Sequence, residues 1–287
     1  MLTEPSFIRR LDSLYLLARR VLNGSLQADR KSTKKGTGIT FADYAEYHLG
    51  ADYRSIDWRV FARFESLVVK LFEVEEDATI HILVDQSRSM ETKFQYARQL
   101  AAALGYIALN CLDRLAVYGM GDTLTPILEP CRGRGSAMAL LKGLEETKTI
   151  AGDTKFNNCS RLFQARHQRK SVVIVISDFL FPAGFEDGLN YFHWHKHDLY
   201  CLQVQNTDDT KCQLKGDIEL ECVETGQRRR VTISPHEAAL YEQAVANLNK
   251  QLVSACARRR IGLASTTPET SFEHVIQDIL RRGGLVA

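Results

Sequence analysis

Thr79-Ile80-His81-Ile82-Leu83-Val84-Asp85-Gln86-Ser87-Arg88-Ser89 is the stretch that decides how this chain is read. Its first six residues are a short, largely apolar run of the kind that fills a buried strand. The loop that follows carries one carboxylate and two hydroxyls, on Asp85, Ser87 and Ser89. Carboxylate and hydroxyl oxygens are hard donors that suit Mg²⁺ or Mn²⁺ and suit zinc or copper poorly. The expectation is an oxygen-lined metal site at the mouth of an α/β sheet.

Working outward from that loop, strand and helix patterns alternate from about residue 76 to the end. Phe94, Ala97, Leu100, Ala101, Leu104, Ala108 and Cys111 recur at helical spacing, and Leu115–Met120 reads as the next strand. Thr125–Leu128 fits a short edge strand, and Leu140, Leu141 and Leu144 mark another helix. Gly152-Asp153-Thr154 lies in a loop before a helix near Asn157–His167, which leads to the β-branched run Val172–Ile176 and then Ser177-Asp178. A helix near Phe185–His195, a strand at Leu199–Val204, a long helix through Tyr241–Ala255, a strand at Ile261–Ala264 and a last helix holding Phe272–Ile279 continue the alternation. Repeated βα units predict the α/β class: a doubly wound, mostly parallel sheet with helices on both faces.

Two regions break the pattern. Residues 1–75 are expected to form an amino-terminal extension, opening with an amphipathic helix (Phe7, Leu11, Leu14, Ala18, Val21) and ending in short β-like pieces such as Leu67-Val68-Val69-Lys70-Leu71. Within the regular domain, residues 76–287, Ile218–Val223 and Arg229–Ile233 flank Glu224-Thr225-Gly226-Gln227 and predict a β-hairpin inserted at 206–234.

Composition narrows the function classes. A chain of 287 residues can bury a large core, and a net charge of +2 argues against a dedicated nucleic-acid binder. No apolar run approaches the roughly 18–20 residues that cross a bilayer, and no signal-peptide core is present, so the cytoplasm is the expected location. The 7 cysteines are odd in number and lack C-x-x-C spacing, which favours reduced structural thiols.

In an open α/β sheet, ligands gather outside the carboxyl ends of strands where the strand order reverses. Asp85 ends the first strand of the regular domain, and Asp178 ends the strand expected beside it across the reversal. Thr154 precedes the helix that feeds the Asp178 strand, so Asp85, Ser87, Ser89, Thr154 and Asp178 are the candidate metal ligands. The simpler alternative is that Asp and Ser after a strand cap the next helix. Asp178 at the matching strand end favours the metal, whereas Thr154 competes with Thr123 and Thr125 for its place. Hydroxyl-rich coordination leaves an ion under-neutralised, which favours docking of an acidic side chain from a partner protein.

These five residues resemble the metal-ion-dependent adhesion site of von Willebrand factor A domains. Gly36-Thr37-Gly38-Ile39-Thr40-Phe41, Tyr44, Tyr47, Gly50-Ala51-Asp52-Tyr53-Arg54-Ser55-Ile56-Asp57-Trp58, Ala62-Arg63 and Leu71-Phe72-Glu73 further resemble the signature of the domain-of-unknown-function 58 family, and Lys215-Gly216-Asp217 and Glu224-Thr225-Gly226 look like its inserted hairpin. The resemblance implies a non-enzymatic von Willebrand A-like protein that works with a MoxR-type AAA+ ATPase in assembling or activating protein complexes. The chain departs from the family's usual Gly-Asp-Asp at Gly50-Ala51-Asp52. It also has Phe179 where adhesion sites commonly carry a small residue, which predicts partial gating of the metal.

Other features have simpler readings. Arg54, Asp57, Trp58, Arg59 and Arg63 fit either a partner surface or an ion pair with an aromatic anchor, and the second is the commoner solution. His193 and His197 stand at i, i+4 spacing, as expected of a solvated helix end. The basic stretch Arg30–Lys35 reads as a solvated connector. There is no G-x-S-x-G elbow, phosphate loop or dinucleotide fingerprint. The catalytic alternative is a Mg²⁺-dependent phosphohydrolase using Asp85. Such chemistry wants a second acid two residues on, where this chain has Ser87.

Overall fold

The computed structural model describes residues 1–29, 35–36, 40–48, 53–73, 79–150, 152, 154–214, 216–221 and 228–281. The basic residues 30–34, the signature residues 37–39 and 50–52, Asp153, Lys215 and residues 222–227 lie outside them. The elements run α1 (Pro5–Asp29), β1 (Lys35–Gly36), β2 (Thr40–Glu46), α2 (Trp58–Phe64), β3 (Val68–Glu73), β4 (Thr79–Asp85), α3 (Phe94–Asn110), β5 (Arg114–Met120) and β6 (Leu124–Arg132). They continue with α4 (Ala137–Glu146), α5 (Phe156–Arg166), β7 (Val172–Ser177), α6 (Glu186–Trp194), β8 (Asp198–Val204), α7 (Thr207–Thr210), β9 (Gly216–Glu221), β10 (Arg228–Ile233), α8 (Pro235–Arg259), β11 (Gly262–Thr266) and α9 (Phe272–Arg281). The chain divides into two compact units, one of Met1–Arg19 with Ala78–Ala287 and the other of Arg20–Asp77.

The larger unit is built on a sheet ordered β11-β8-β7-β4-β5-β6. All neighbours are parallel except β5 and β6, so the expected doubly wound, mostly parallel α/β arrangement is what the residues form. The order reverses between β4 and β7, which pair from Ile80 opposite Val172 to Val84 opposite Ile176. Successive side chains of a strand point to opposite faces. Ile82, Val84, Ile174 and Ile176 therefore join one core with α1, α3, α4 and α9, while Leu83, Val173 and Val175 join a second with α5, α6 and α8. Each fully buried aliphatic side chain contributes about 1.5–3 kcal/mol. These central strands are the rigid floor from which the loops of Asp85 and Asp178 emerge.

The edge strand β6 is longer than the expected 125–128 and carries Pro126 and Pro130, which an edge position tolerates because no further ladder is needed. β9 and β10 pair antiparallel, from Gly216 opposite Ile233 to Glu221 opposite Arg228. Ser234 and Glu237 form a capping box that starts α8 at Pro235, earlier than its apolar stripe begins. His193 ends up in the last turn of α6, while His197 lies beyond it, buried and hydrogen-bonded to Ser171 and Gln164 at 2.9 and 2.8 Å. The two do not share a helical face.

In the smaller unit β1 and β2 flank β3 antiparallel. Asp57 caps α2 by accepting from the Arg59 amide at 3.0 Å, and it also accepts from the Tyr44 hydroxyl at 3.0 Å. Trp58, read as more commonly an aromatic anchor than part of a partner surface, is 60% exposed and meets Phe61 edge-on, with ring centroids 6.2 Å apart. The helix is only seven residues long and buries none of them; the capping carboxylate is the part held inside.

Candidate functional site

β4 delivers Asp85 into the interior with 0% of its surface exposed. The chain then turns sharply because the Ser87 amide donates back to Asp85 Oδ1 at 2.9 Å, a local side-chain-to-backbone bond typical of Asp in turns. Gln86 pins this loop to its neighbours. Its amide donates to Met120, its carbonyl accepts from Ile150 at 2.7 Å, and its side chain donates to the Lys148 carbonyl at 3.0 Å. The Ser87 and Ser89 hydroxyls lie 2.9 Å apart on the same loop.

The other loops close on the same carboxylate. Gly152, at φ 114°, makes a turn that side chains rarely allow, and Thr154 follows two residues later. Its hydroxyl lies 2.5 Å from Asp85 Oδ1 and 3.2 Å from the Met120 carbonyl. Ser177, the last residue of β7, donates to Asp85 Oδ2 at 2.5 Å and accepts from the Phe179 amide at 2.9 Å. Asp85 therefore accepts from Ser87, Thr154 and Ser177 and, among the described residues, is paired with no lysine or arginine. Burial and the nearby Asp178 charge push its carboxyl up to about 6, against the pull of those three hydrogen bonds. A buried carboxylate in that condition is short of positive charge.

Asp178 stands at the same sheet edge, but its partner is different. Oδ1 accepts from the Leu180 amide at 3.0 Å, and Oδ2 accepts from Lys93 Nζ at 2.9 Å. Lys93 and Asp178 are each 1% exposed. The ammonium also donates to Asp209 Oδ2 at 2.7 Å. Burial lowers the Lys93 pKa, but Asp178 and Asp209 outweigh it and the lysine is held charged. Phe179, expected as a gate, is buried in the second core against Phe156 and Phe181, at centroid distances of 6.3 and 5.8 Å. The group over Asp178 is Lys93.

Asp85, Ser87, Ser89 and Thr154 are thus brought together, while Asp178 is engaged by a lysine. Three residues of the site were not singled out by sequence. Ser177 was visible as the residue before Asp178. Asp209 belongs to a capping box with Asn206, whose amide donates to Asp209 Oδ2 at 2.8 Å. Lys93 carried no signal.

The donor set fits a hard divalent cation. Three hydroxyls and a carboxylate offer only oxygen, and Asp85, Asp178 and Asp209 against Lys93 leave a formal charge of −2. Among the described residues no group of three or more His, Cys, Asp or Glu side chains is arranged to hold a metal, so an ion here would depend on the hydroxyls.

Among curated proteins, the chain is 24% identical over 242 residues to uncharacterized protein Rv1480 of Mycobacterium tuberculosis, covering 81% of this chain and 75% of that one. Similar solved structures include the conserved hypothetical protein BatB of Bacteroides thetaiotaomicron, with a TM-score of 0.44 and 14% identity over 71% of this chain and 98% of the other. A von Willebrand factor type A protein from Catenulispora acidiphila gives a TM-score of 0.42 at 11% identity, covering 76% of this chain and 44% of that one. A family model described as "Protein of unknown function DUF58" matches residues 43–251, most of the length of the chain, and the chain belongs to that family.

Proposed function

We propose that this protein is a metal-dependent protein-interaction module. Ser87, Ser89 and Thr154 would hold Mg²⁺ or Mn²⁺ directly, with Asp85 and Asp178 acting directly or through water. When bound, the ion offers an open coordination position to an acidic side chain of a partner protein. The observation that carries this reading is the Asp85 carboxylate, buried among three donors and paired with no cationic side chain among the described residues. Ser89 is half-buried and Arg88 exposed, so the Asp85 loop reaches the surface at these two residues, the side from which a partner acid would have to arrive. The partner class implied by the family resemblance is a MoxR-type AAA+ ATPase.

We read the chain as non-catalytic. Both oxygens of Asp85 already accept hydrogen bonds, and the carboxylate is shielded from solvent, which ill suits a phosphoryl nucleophile. At the position of a leaving-group acid stands Ser87, whose hydroxyl is occupied with Ser89.

Thermal melting in EDTA and then in millimolar Mg²⁺ tests the site. An ion at ten times its Kd stabilises the fold by about 1.4 kcal/mol, and Asp85→Ala should abolish the rise. A normal rise in Asp85→Ala would remove this carboxylate from the site. Capture of a MoxR-type ATPase by the wild type in Mg²⁺, lost both in EDTA and in Asp85→Ala, tests the partner.

A further inference from the structure

Lys93 occupies a position that a lysine should avoid. It sits immediately before α3, where the positive end of the helix dipole opposes a cation, and only 1% of its side chain is exposed. Burying an ammonium is costly unless it is paired and hydrogen-bonded. Asp178 and Asp209 supply that compensation at 2.9 and 2.7 Å. Asp178 belongs to the sheet edge. Asp209 belongs to α7, which is further tied by Asn206 to Thr92 at 2.7 Å and by the Tyr241 hydroxyl to the Asp209 carbonyl at 2.9 Å. The lysine therefore bridges the candidate metal centre and a separate element.

An ion drawing on Asp178 would meet a full positive charge 2.9 Å from one oxygen of that carboxylate. Like charges at such separations repel strongly in a partly buried site. We propose that Lys93 is an internal counter-cation that competes with the divalent ion for Asp178. Entry of the ion hands the ammonium over to Asp209, so that occupancy of the site is coupled to the hold on α7. Asp178 thereby becomes a ligand only when the lysine yields, and the lysine sets the ion concentration at which the module switches on. The inference rests on the metal reading of the Asp85 site and specifies its regulation.

The test is Mn²⁺ titration of the full chain, with free ion read by electron paramagnetic resonance. Lys93→Met keeps the apolar stem and removes the charge, and it should tighten Mn²⁺ binding by about tenfold or more. Lys93→Gln, which retains donors for both carboxylates, should do the same and serves if the methionine variant does not fold. Asp209→Asn should weaken binding in the wild type by leaving the lysine to Asp178 alone. That weakening should disappear in the Lys93→Met background; if it persists, α7 acts only as a nearby charge and the handover is wrong. Wild-type binding with no gain in either lysine variant overturns the competition and leaves the metal site standing. Binding by the lysine variants but not by the wild type supports the competition and overturns the wild-type metal dependence. Absence of binding in all of them overturns both.

Discussion

Replacing Asp85 by Asn should make the metal-free protein more stable at neutral pH, although it removes the residue on which the site is built. The carboxyl titrates near 3.9 in an unfolded chain and is held at about 6 in the fold by burial and by Asp178. An acid with a raised folded pKa favours folding when protonated, so its contribution is intact at low pH and is lost as pH climbs from the unfolded value through about 6. With about 1.4 kcal/mol for each pH unit between the two values, ionised Asp85 costs about 3 kcal/mol at pH 7.5. At pH 4.5, where the folded carboxyl is already protonated, the cost falls to about 1 kcal/mol. Asn preserves the acceptor for Ser87 and Thr154, while Ser177 must turn to accept from the new amide. Urea unfolding of both proteins in EDTA at the two pH values isolates this term, because the other titrating groups cancel in the difference. An advantage for Asp85→Asn that shrinks toward acid is expected. A variant less stable than the parent at pH 7.5, or a difference that ignores pH, would refute the reasoning and mean that Asp85 is already neutralised in the fold.

At the opposite end of the sheet, burial first, and then neighbouring His and Arg charges, hold His81 at about 3, while burial and His195 lead in holding His197 at about 4. For a base with a depressed folded pKa, stability is lost as pH falls below the unfolded value of about 6.5, so the pair should cost about 3 kcal/mol between pH 6.5 and 5. His81 Nδ1 has no hydrogen-bond partner among the described residues, so His81→Leu should be tolerated and should cut that acid slope roughly in half; an unchanged slope in urea unfolding would place the titration elsewhere. A Cβ on Gly119 would collide with the side-chain amide of Gln86, which ties the Asp85 loop to Lys148. Gly119→Ala should therefore cost about 1–3 kcal/mol, with part of the loss recovered in a Gly119→Ala/Gln86→Ala double variant; no recovery would absolve Gln86.

Much of the site was legible because its residues sit where periodicity changes. The run through Val84 stops being apolar at Asp85, and the run through Ile176 stops at Ser177, so both strand ends and their acids stand out from the sequence. Parallel pairing of β4 with β7 then follows from the alternation of strands and helices. Lys93 was not legible, since a lysine before an amphipathic helix looks like any solvated residue. Its two partners lie 85 and 116 positions away, and only the folded sheet brings them to it. The start of α8 was hidden for a related reason. The first turns of α8 are mostly exposed, so its apolar stripe begins well after the Ser234 cap that actually starts it. The anchor reading of Trp58 depended on what its helix packs against, which the sequence does not show, and that helix leaves every residue at least partly exposed.

The burial of Asp85 and the pairing of Lys93 belong to one physical problem. A carboxylate left ionised and unpaired inside a sheet edge destabilises the fold, and a second one beside it makes matters worse. A permanent lysine for each acid would solve this and leave nothing for an ion to do. Only Asp178 is given that solution; Asp85 receives hydroxyls, which soften its burial without cancelling its charge. The edge is thereby kept partly short of positive charge. On the proposed metal reading, a divalent ion there would gain from relieving Asp85 and lose by opposing Lys93, so its affinity would be a difference between two large terms. Small displacements of α7, which carries the lysine's second carboxylate, shift that difference directly. A partner that touches α7 or the neighbouring Tyr241 on α8 would therefore alter the ion's hold without reaching the ion itself.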